Sequence, residues 1–208
     1  MRKRTLLFLC FYLFGLFTTV CCSSEIKVNP FANVKVGDIV KMGNFPQTAK
    51  GEKKPIEWKV LAKSDNRALV ISLYGLAVKR FDSSSAKWKN SEICKWLNCD
   101  FYNSTFTDIE KGYIDSVDFD NDGNNVNVFL LSSNELKYFS DNYSRICIAT
   151  PYAVKNGAFG NGYDYWWLRS YNGAGDNYAS CVDNTGYTCG FPVNDNRVLA
   201  RPVLLIKL

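Results

Sequence analysis

The chain has 208 residues, 47 % of them hydrophobic and 22 % charged, a composition and length that suit one globular domain with a sizeable core and exclude a disordered tail or a fibrous repeat. Histidine is absent, so a Ser-His-Asp triad, a Cys-His pair and imidazole zinc sites cannot be built. The formal charge is +5; Arg2, Lys3 and Arg4 supply three of those charges, and the +2 left for residues 5–208 gives no electrostatic footprint for nucleic acid.

The amino terminus sets that basic triplet before the apolar run Leu6 to Phe17 and a polar exit from Thr18 to Ser24, which predicts a secretory signal peptide over residues 1–22. The run is shorter than the ~20 residues of a spanning helix, and an uncleaved anchor is the alternative. Cys21 and Cys22 resemble the lipid-modified cysteine of bacterial lipoproteins, although Thr18, Thr19 and Val20 depart from that pattern. A diacylated cysteine would hold the protein to a membrane surface, the only membrane contact expected, with residues 23–34 as tether and a single domain over 35–208.

Gly37 to Phe45 begins as a strand. Ile56, Trp58 and Val60 alternate with Glu57 and Lys59, the pattern of a half-buried strand, whereas Ala68 to Leu73 is apolar on both faces and belongs in mid-sheet. A helix is predicted from Ser91 to Phe101, capped by Ser91, with Ile93, Trp96, Leu97 and Phe101 on its core side. Thr107 with Glu110, and Ser132 with Glu135, have capping-box spacing and start two short helices, the second over residues 133–139. Val126 to Leu131 reads as a strand. From Thr150 onward the chain is rich in Gly, Asn, Asp and Tyr, which predicts hairpins and loops laid over a sheet, and Arg201 to Leu208 closes the chain as a buried strand.

Beyond the leader the cysteines are Cys94, Cys99, Cys147, Cys181 and Cys189, an odd number that leaves at least one thiol free or paired with another molecule. Cys181 and Cys189 flank the turn Asp183 to Gly186, where a short loop would set them opposite each other within reach of a disulfide.

The blocks PIEWKVL (55–61), WKNSEICKWLNCDF (88–101), VFLLSSNEL (128–136), TPYAVKNGA (150–158), WWLRS (166–170) and ARPVLLIKL (200–208) resemble, in the same order, a family of exported bacterial domains of unknown function. That family is similar to the C-type-lectin-like folds of formylglycine-generating enzymes and retroelement-diversified variable proteins. The resemblance implies an α+β fold with a mixed, mainly antiparallel sheet, a few short helices and a long hairpin-rich C-terminal region. It pairs the first and last strands, Gly37 to Phe45 beside Pro202 to Leu208. It also puts Trp167 and Arg169 on a central strand, has Arg169 and Arg201 brace the ligand-bearing loops, and makes Tyr171 to Ala200 the ligand face.

Composition supports a binding surface there. Tyr171, Tyr178 and Tyr187 offer rigid contact area, and Asn172, Asn177, Asn184, Asn194 and Asn196 with Asp176 and Asp183 offer adaptable hydrogen bonding; turn formation explains the same residues one by one. Alternation sends Trp166 and Trp167 to opposite faces, so at least one is core. Asp118, Asp120, Asp122 and Gly123 match the start of a calcium loop, but its twelfth position is Phe129 where a bidentate Glu is required. No metal and no cofactor are expected. The reading is a non-enzymatic, exported module for a protein or glycan ligand at the cell surface. A cysteine and copper oxidase using Cys181 and Cys189, and a structural envelope protein, are the alternatives.

Overall fold

The computed structural model describes residues 29–160 and 162–208. The expected signal peptide, Cys21, Cys22 and the tether up to residue 28 lie outside the described residues. The folded part begins earlier than expected, because Phe31 and Val34, assigned to the tether, are buried in the main core and Phe31 meets Tyr113 edge-on at 5.4 Å. No helix among the described residues is long and apolar enough to cross a membrane.

The fold is mixed α+β, with mostly antiparallel sheets and short helices. Strands β1 (Ile39–Pro46), β2 (Lys53–Lys63), β3 (Arg67–Ser72), β5 (Ile114–Asp115) and β10 (Val203–Lys207) form one sheet in the order β1-β2-β3-β10-β5. The apolar β3 takes the middle, as its composition requires, and β10 pairs with it from Val203↔Ile71 to Lys207↔Arg67. The first and last strands are therefore not paired: β2 and β3 lie between them. The reason is local, since β1 folds back on β2 as a hairpin and its lysine-bearing outer side suits an edge. That edge is closed at Gly43, whose N–H donates to the Glu110 carboxylate at 2.7 Å.

The second sheet contains β4 (Ala77–Val78), β6 (Trp166–Tyr171), β7 (Tyr178–Val182), β8 (Thr188–Pro192) and β9 (Leu199–Ala200), in the order β4-β9-β6-β7-β8, with β6 and β9 parallel. Residues of both sheets, including Trp58, Val70 and Leu204 from one and Trp167, Ala179 and Ala200 from the other, share the larger core. A smaller core collects Leu61, Ile71, Phe129, Leu131, Phe139, Trp166 and Val203. Leu61 reaches it because a bulge between Val60 and Ala62 breaks the alternation of β2.

The helix expected over 91–101 is longer and irregular: α1 (Glu92–Trp96) continues through a wide π turn (Leu97–Phe101) into α2 (Tyr102–Thr105). Both capping boxes form, starting α3 (Asp108–Tyr113) and a tighter 3₁₀ helix over Ser133–Tyr138. A last short helix, α4 (Pro151–Lys155), is capped by Thr150. The strand expected over 126–131 is instead extended chain with isolated bridges at Val126 and Phe129. Between the bridges a side chain takes the ladder's place: the Asn98 amide oxygen accepts from the backbone N–H groups of Asn127 (2.7 Å) and Val128 (3.1 Å), and its Nδ2 donates to Val128 O (2.9 Å).

Candidate functional site

A cleft of about 820 Å3 lies between the end of β1, the edge strand β4, the α1–α2 helix, α4 and the loop after β8. Its helical wall is built by Glu92, Trp96, Asp100 and Ser104, four residues apart and so on one side of the helix. Ser91 fixes where that helix starts, its hydroxyl accepting from Cys94 N at 3.2 Å while donating to Trp88 O at 2.7 Å. Opposite, Thr150 both caps α4 and donates to Leu76 O at 3.3 Å, which ties α4 to the strand that forms the cleft edge and brings Tyr152 into it.

The floor is aromatic. Phe45 stands 5.1 Å from Phe101, 5.9 Å from Tyr152 and 6.3 Å from Trp96, the last two nearly perpendicular, and Trp96 lies 5.4 Å from Phe101. Phe45 and Phe101 are buried, whereas Trp96 and Tyr152 are half-buried and present surface to the cleft. Such offset and edge contacts fix ring orientations in advance.

Around this floor the polar groups are mixed in sign. Arg80 pairs with Glu92 at 2.5 Å. The Lys79 ammonium lies 4.8 Å over the Trp96 ring, and Lys53 Nζ donates to Ser104 O at 3.1 Å. Asn156 uses its Nδ2 on Tyr152 O at 2.8 Å, leaving its amide oxygen free, and Asp100 and Asn196 are exposed at the rim. Amides, hydroxyls and charges around half-buried rings form a set suited to holding and orienting a ligand.

Of the sequence-predicted binding residues, Asn196 alone lines this cleft. The others divide between the two ends of the β7–β8 hairpin, separated by roughly 15 Å of strand. At its tip, Asp183 accepts from the Thr185 N–H (2.8 Å), the Thr185 hydroxyl (2.7 Å) and the Tyr187 N–H (3.0 Å), while Asn184 and Tyr187 are exposed. At its other end Tyr171, Asp176, Asn177 and Asn194 are exposed, Tyr178 is half-buried, and the Asn172 amide lies against Gly190. Tyr171 and Asp176 line a smaller groove of about 350 Å3 with Lys87, Trp88 and Arg169.

The scaffold residues are differently employed than expected. Both tryptophans of the pair are fully buried, so neither is a ligand platform. Arg169 braces the 130–135 segment, donating to Leu130 O at 2.7 Å and holding Glu135 with both terminal nitrogens. Arg201 donates to Ser72 O (3.1 Å), Arg145 O (3.0 Å) and Leu73 O (3.5 Å), and its guanidinium lies 4.9 Å over the Trp166 ring. Their side-chain bonds thus run to segments 72–73, 130–135 and 145, not to the late hairpins.

Cys181 and Cys189 are directly opposite in the β7–β8 ladder, with Cα atoms 5.2 Å apart, and form a disulfide. Cys94 and Cys147 are buried free thiols and Cys99 an exposed one. In the calcium-loop-like turn, Asp118 accepts the backbone N–H groups of Asp120, Asp122 and Gly123, and Asp122 pairs with Lys89. Among the described residues no group of three or more acidic or cysteine side chains is placed to hold a metal ion.

The cleft itself was missed from sequence because Trp96 fits the core side of a helix. The signal was Asp100 and Ser104, polar residues following Trp96 along that same side, where a helix buried on that face would stay apolar. Residues 65–208 match the model of a family described as a domain of unknown function, DUF6273. No curated protein and no solved structure matches the chain.

Proposed function

We propose that this chain, which belongs to the DUF6273 family, is an exported ligand-binding module that works by binding rather than catalysis, with the aromatic cleft as its principal site. The observation that carries this is the cleft of about 820 Å3, whose volume falls in the range of small-ligand sites and whose rings are locked by packing on helices and strands. Its ligand is a glycan or protein of the cell surface. The Tyr171, Asp176 and Trp88 groove is a lesser contact surface of the same kind, in keeping with the tyrosine- and asparagine-rich composition of that end.

The cysteine oxidase alternative is disfavoured by the disulfide between Cys181 and Cys189 and by the complete burial of Cys181, which leave no accessible thiolate pair there for copper. Export rests on the basic and apolar leader, with Cys21 or Cys22 as the lipidated residue; mass spectrometry of the mature N-terminus reads this out as a diacylglyceryl adduct. The scaffold is of the C-type-lectin-like kind, a reading supported by the order of the six sequence blocks.

The test is a glycan and protein array probed with the full chain in detergent. Binding should saturate and be lost in Trp96→Ala, while Tyr187→Ala at the hairpin tip leaves it unchanged. A ligand sensitive to Tyr187 and indifferent to Trp96 would move the site to the hairpin, and no saturable ligand at all would favour a structural envelope role.

A further inference from the structure

We infer that the cleft takes a saccharide bearing a carboxylate, seated with a C–H face against Trp96 and its acid group on Lys79. This rests on the cleft being the binding site.

The charges point to an anion. Arg80 is neutralised by Glu92, and Lys79 and Lys53 are each held by a partner that leaves their charge uncancelled, a ring at 4.8 Å and a backbone carbonyl at 3.1 Å; the exposed Asp100 at the rim offsets one of them, so the lining keeps a net positive charge. Neither lysine forms an ion pair among the described residues. Cations positioned this way are ready for an incoming carboxylate, and a charge-assisted hydrogen bond is stronger than a surface cation–π contact. The acid group therefore draws the Lys79 ammonium off the Trp96 ring, and the uncovered ring becomes available to the apolar face of a sugar.

The remaining groups point to hydroxyls. Asn196, Asp100 and the Tyr152 hydroxyl make no side-chain hydrogen bond among the described residues, and Asn156 keeps its amide oxygen free. These groups together both donate and accept, as sugar hydroxyls do. An aliphatic or aromatic acid without hydroxyls would cover them and leave them unpaired, at a cost that opposes binding.

A peptide adding itself as a strand fits less well. Of the edge strands that reach the cleft, β4 is two residues long and β1 contributes only its last residues, Phe45 and Pro46, too short a ladder for main-chain recognition. A lipid chain would have to lie among the charged groups of the rim.

Isothermal titration of the full chain in detergent tests this with tetramers of galacturonate, mannuronate and hyaluronate and with the GlcNAc–MurNAc disaccharide, each beside its methyl ester. At least one acid form should saturate and bind about tenfold more tightly than its ester. Lys79→Ala should reduce the acid to the level of the ester, Asn196→Ala should weaken both, and Trp96→Ala should abolish both; Trp96→Leu, which keeps apolar bulk without an aromatic face, replaces the last variant if it does not fold. An ester that binds as well as its acid overturns the inference. So does the absence of any saccharide binding together with a peptide or protein ligand lost in Trp96→Ala, a result that leaves the cleft as the site. If ligand binding of every class is indifferent to Trp96→Ala, the inference and the cleft reading fall together.

Discussion

Trp166 and Trp167 are adjacent in the chain, yet their fully buried rings belong to separate apolar cores on opposite faces of β6. Each indole N–H finds a distant backbone carbonyl, Trp166 that of Arg145 at 3.0 Å and Trp167 that of Lys79 at 2.7 Å. One dipeptide thus fastens the second sheet to two layers at once. The Trp167 bond holds the backbone at Lys79, and so the position of the cleft's cation.

Replacing either ring should therefore damage a different core. Trp166→Ala and Trp167→Ala should each cost about 3–5 kcal/mol of stability. Because the two rings fill distinct cores, the double variant should lose more than either single one, short of strict additivity because the residues share a strand and Trp88 packs against both cores. Urea denaturation of the three variants measures both points; a double variant no worse than the weaker single one would mean that the cores are one.

Arg201 is 2 % exposed and bonded to backbone carbonyls, with no carboxylate in ion-pair contact among the described residues. Burial pushes its pKa down from the ordinary arginine value. Arg201→Met keeps the aliphatic bulk and removes the donors to the Ser72, Leu73 and Arg145 carbonyls, of which that of Arg145 retains the Trp166 indole N–H, and should destabilise by about 2–4 kcal/mol. Calorimetry should show a melting point lower by roughly 5–15 °C. A wild-type melting point in this variant would show that the three segments hold their places without the guanidinium.

Glu135 titrates in a direction that fixes a sign. Burial alone would raise its pKa, but the Arg169 guanidinium and the Ser132 N–H outweigh burial and hold it below the usual glutamate value. Its contribution is then fully present above the unfolded-state pKa of about 4.3 and disappears as pH falls through the lower, folded value. The melting temperature should fall with acid in that window, and Glu135→Gln should flatten this dependence while costing about 1–3 kcal/mol near neutrality. An unchanged acid slope in Glu135→Gln would assign the loss to other carboxylates such as Asp82, Glu110 and Asp195, whose pKa values are also lowered.

Among Cys94, Cys99 and Cys147, iodoacetamide near pH 8 should label Cys99 first. Cys99 is exposed; burial, with the nearby Cys99, pushes the Cys94 thiol up to about 11, and burial also raises Cys147. Peptide mapping by mass spectrometry at short times gives the order. Equal labelling of Cys94 and Cys99 would mean that α1, which buries Cys94, opens readily.

Much of the local structure was legible. The alternation at Ile56, Trp58 and Val60, the caps at Ser91, Thr107 and Ser132, and the central place of Ala68 to Ser72 all depend on residues within a turn or a strand of one another. The opposed cysteines of the late hairpin were legible for the same reason, since a short loop decides which residues face each other. The extended segment at Val126 to Leu131 was misread because its ladder is broken at Asn127 and Val128, whose backbone is taken by the Asn98 side chain, a partner no β-propensity reports.

By itself, then, the sequence determined an α+β chain of short elements, their caps and which faces they bury, because period and capping act between near neighbours. The order of strands that separates β1 from β10, the splitting of the tyrosines and asparagines between two ends of one hairpin, and the cleft were decided only in three dimensions. The cleft joins Phe45, Trp96 and Tyr152, residues dozens of positions apart, and what brings such residues together is the shared burial of surfaces whose partners local pattern does not name.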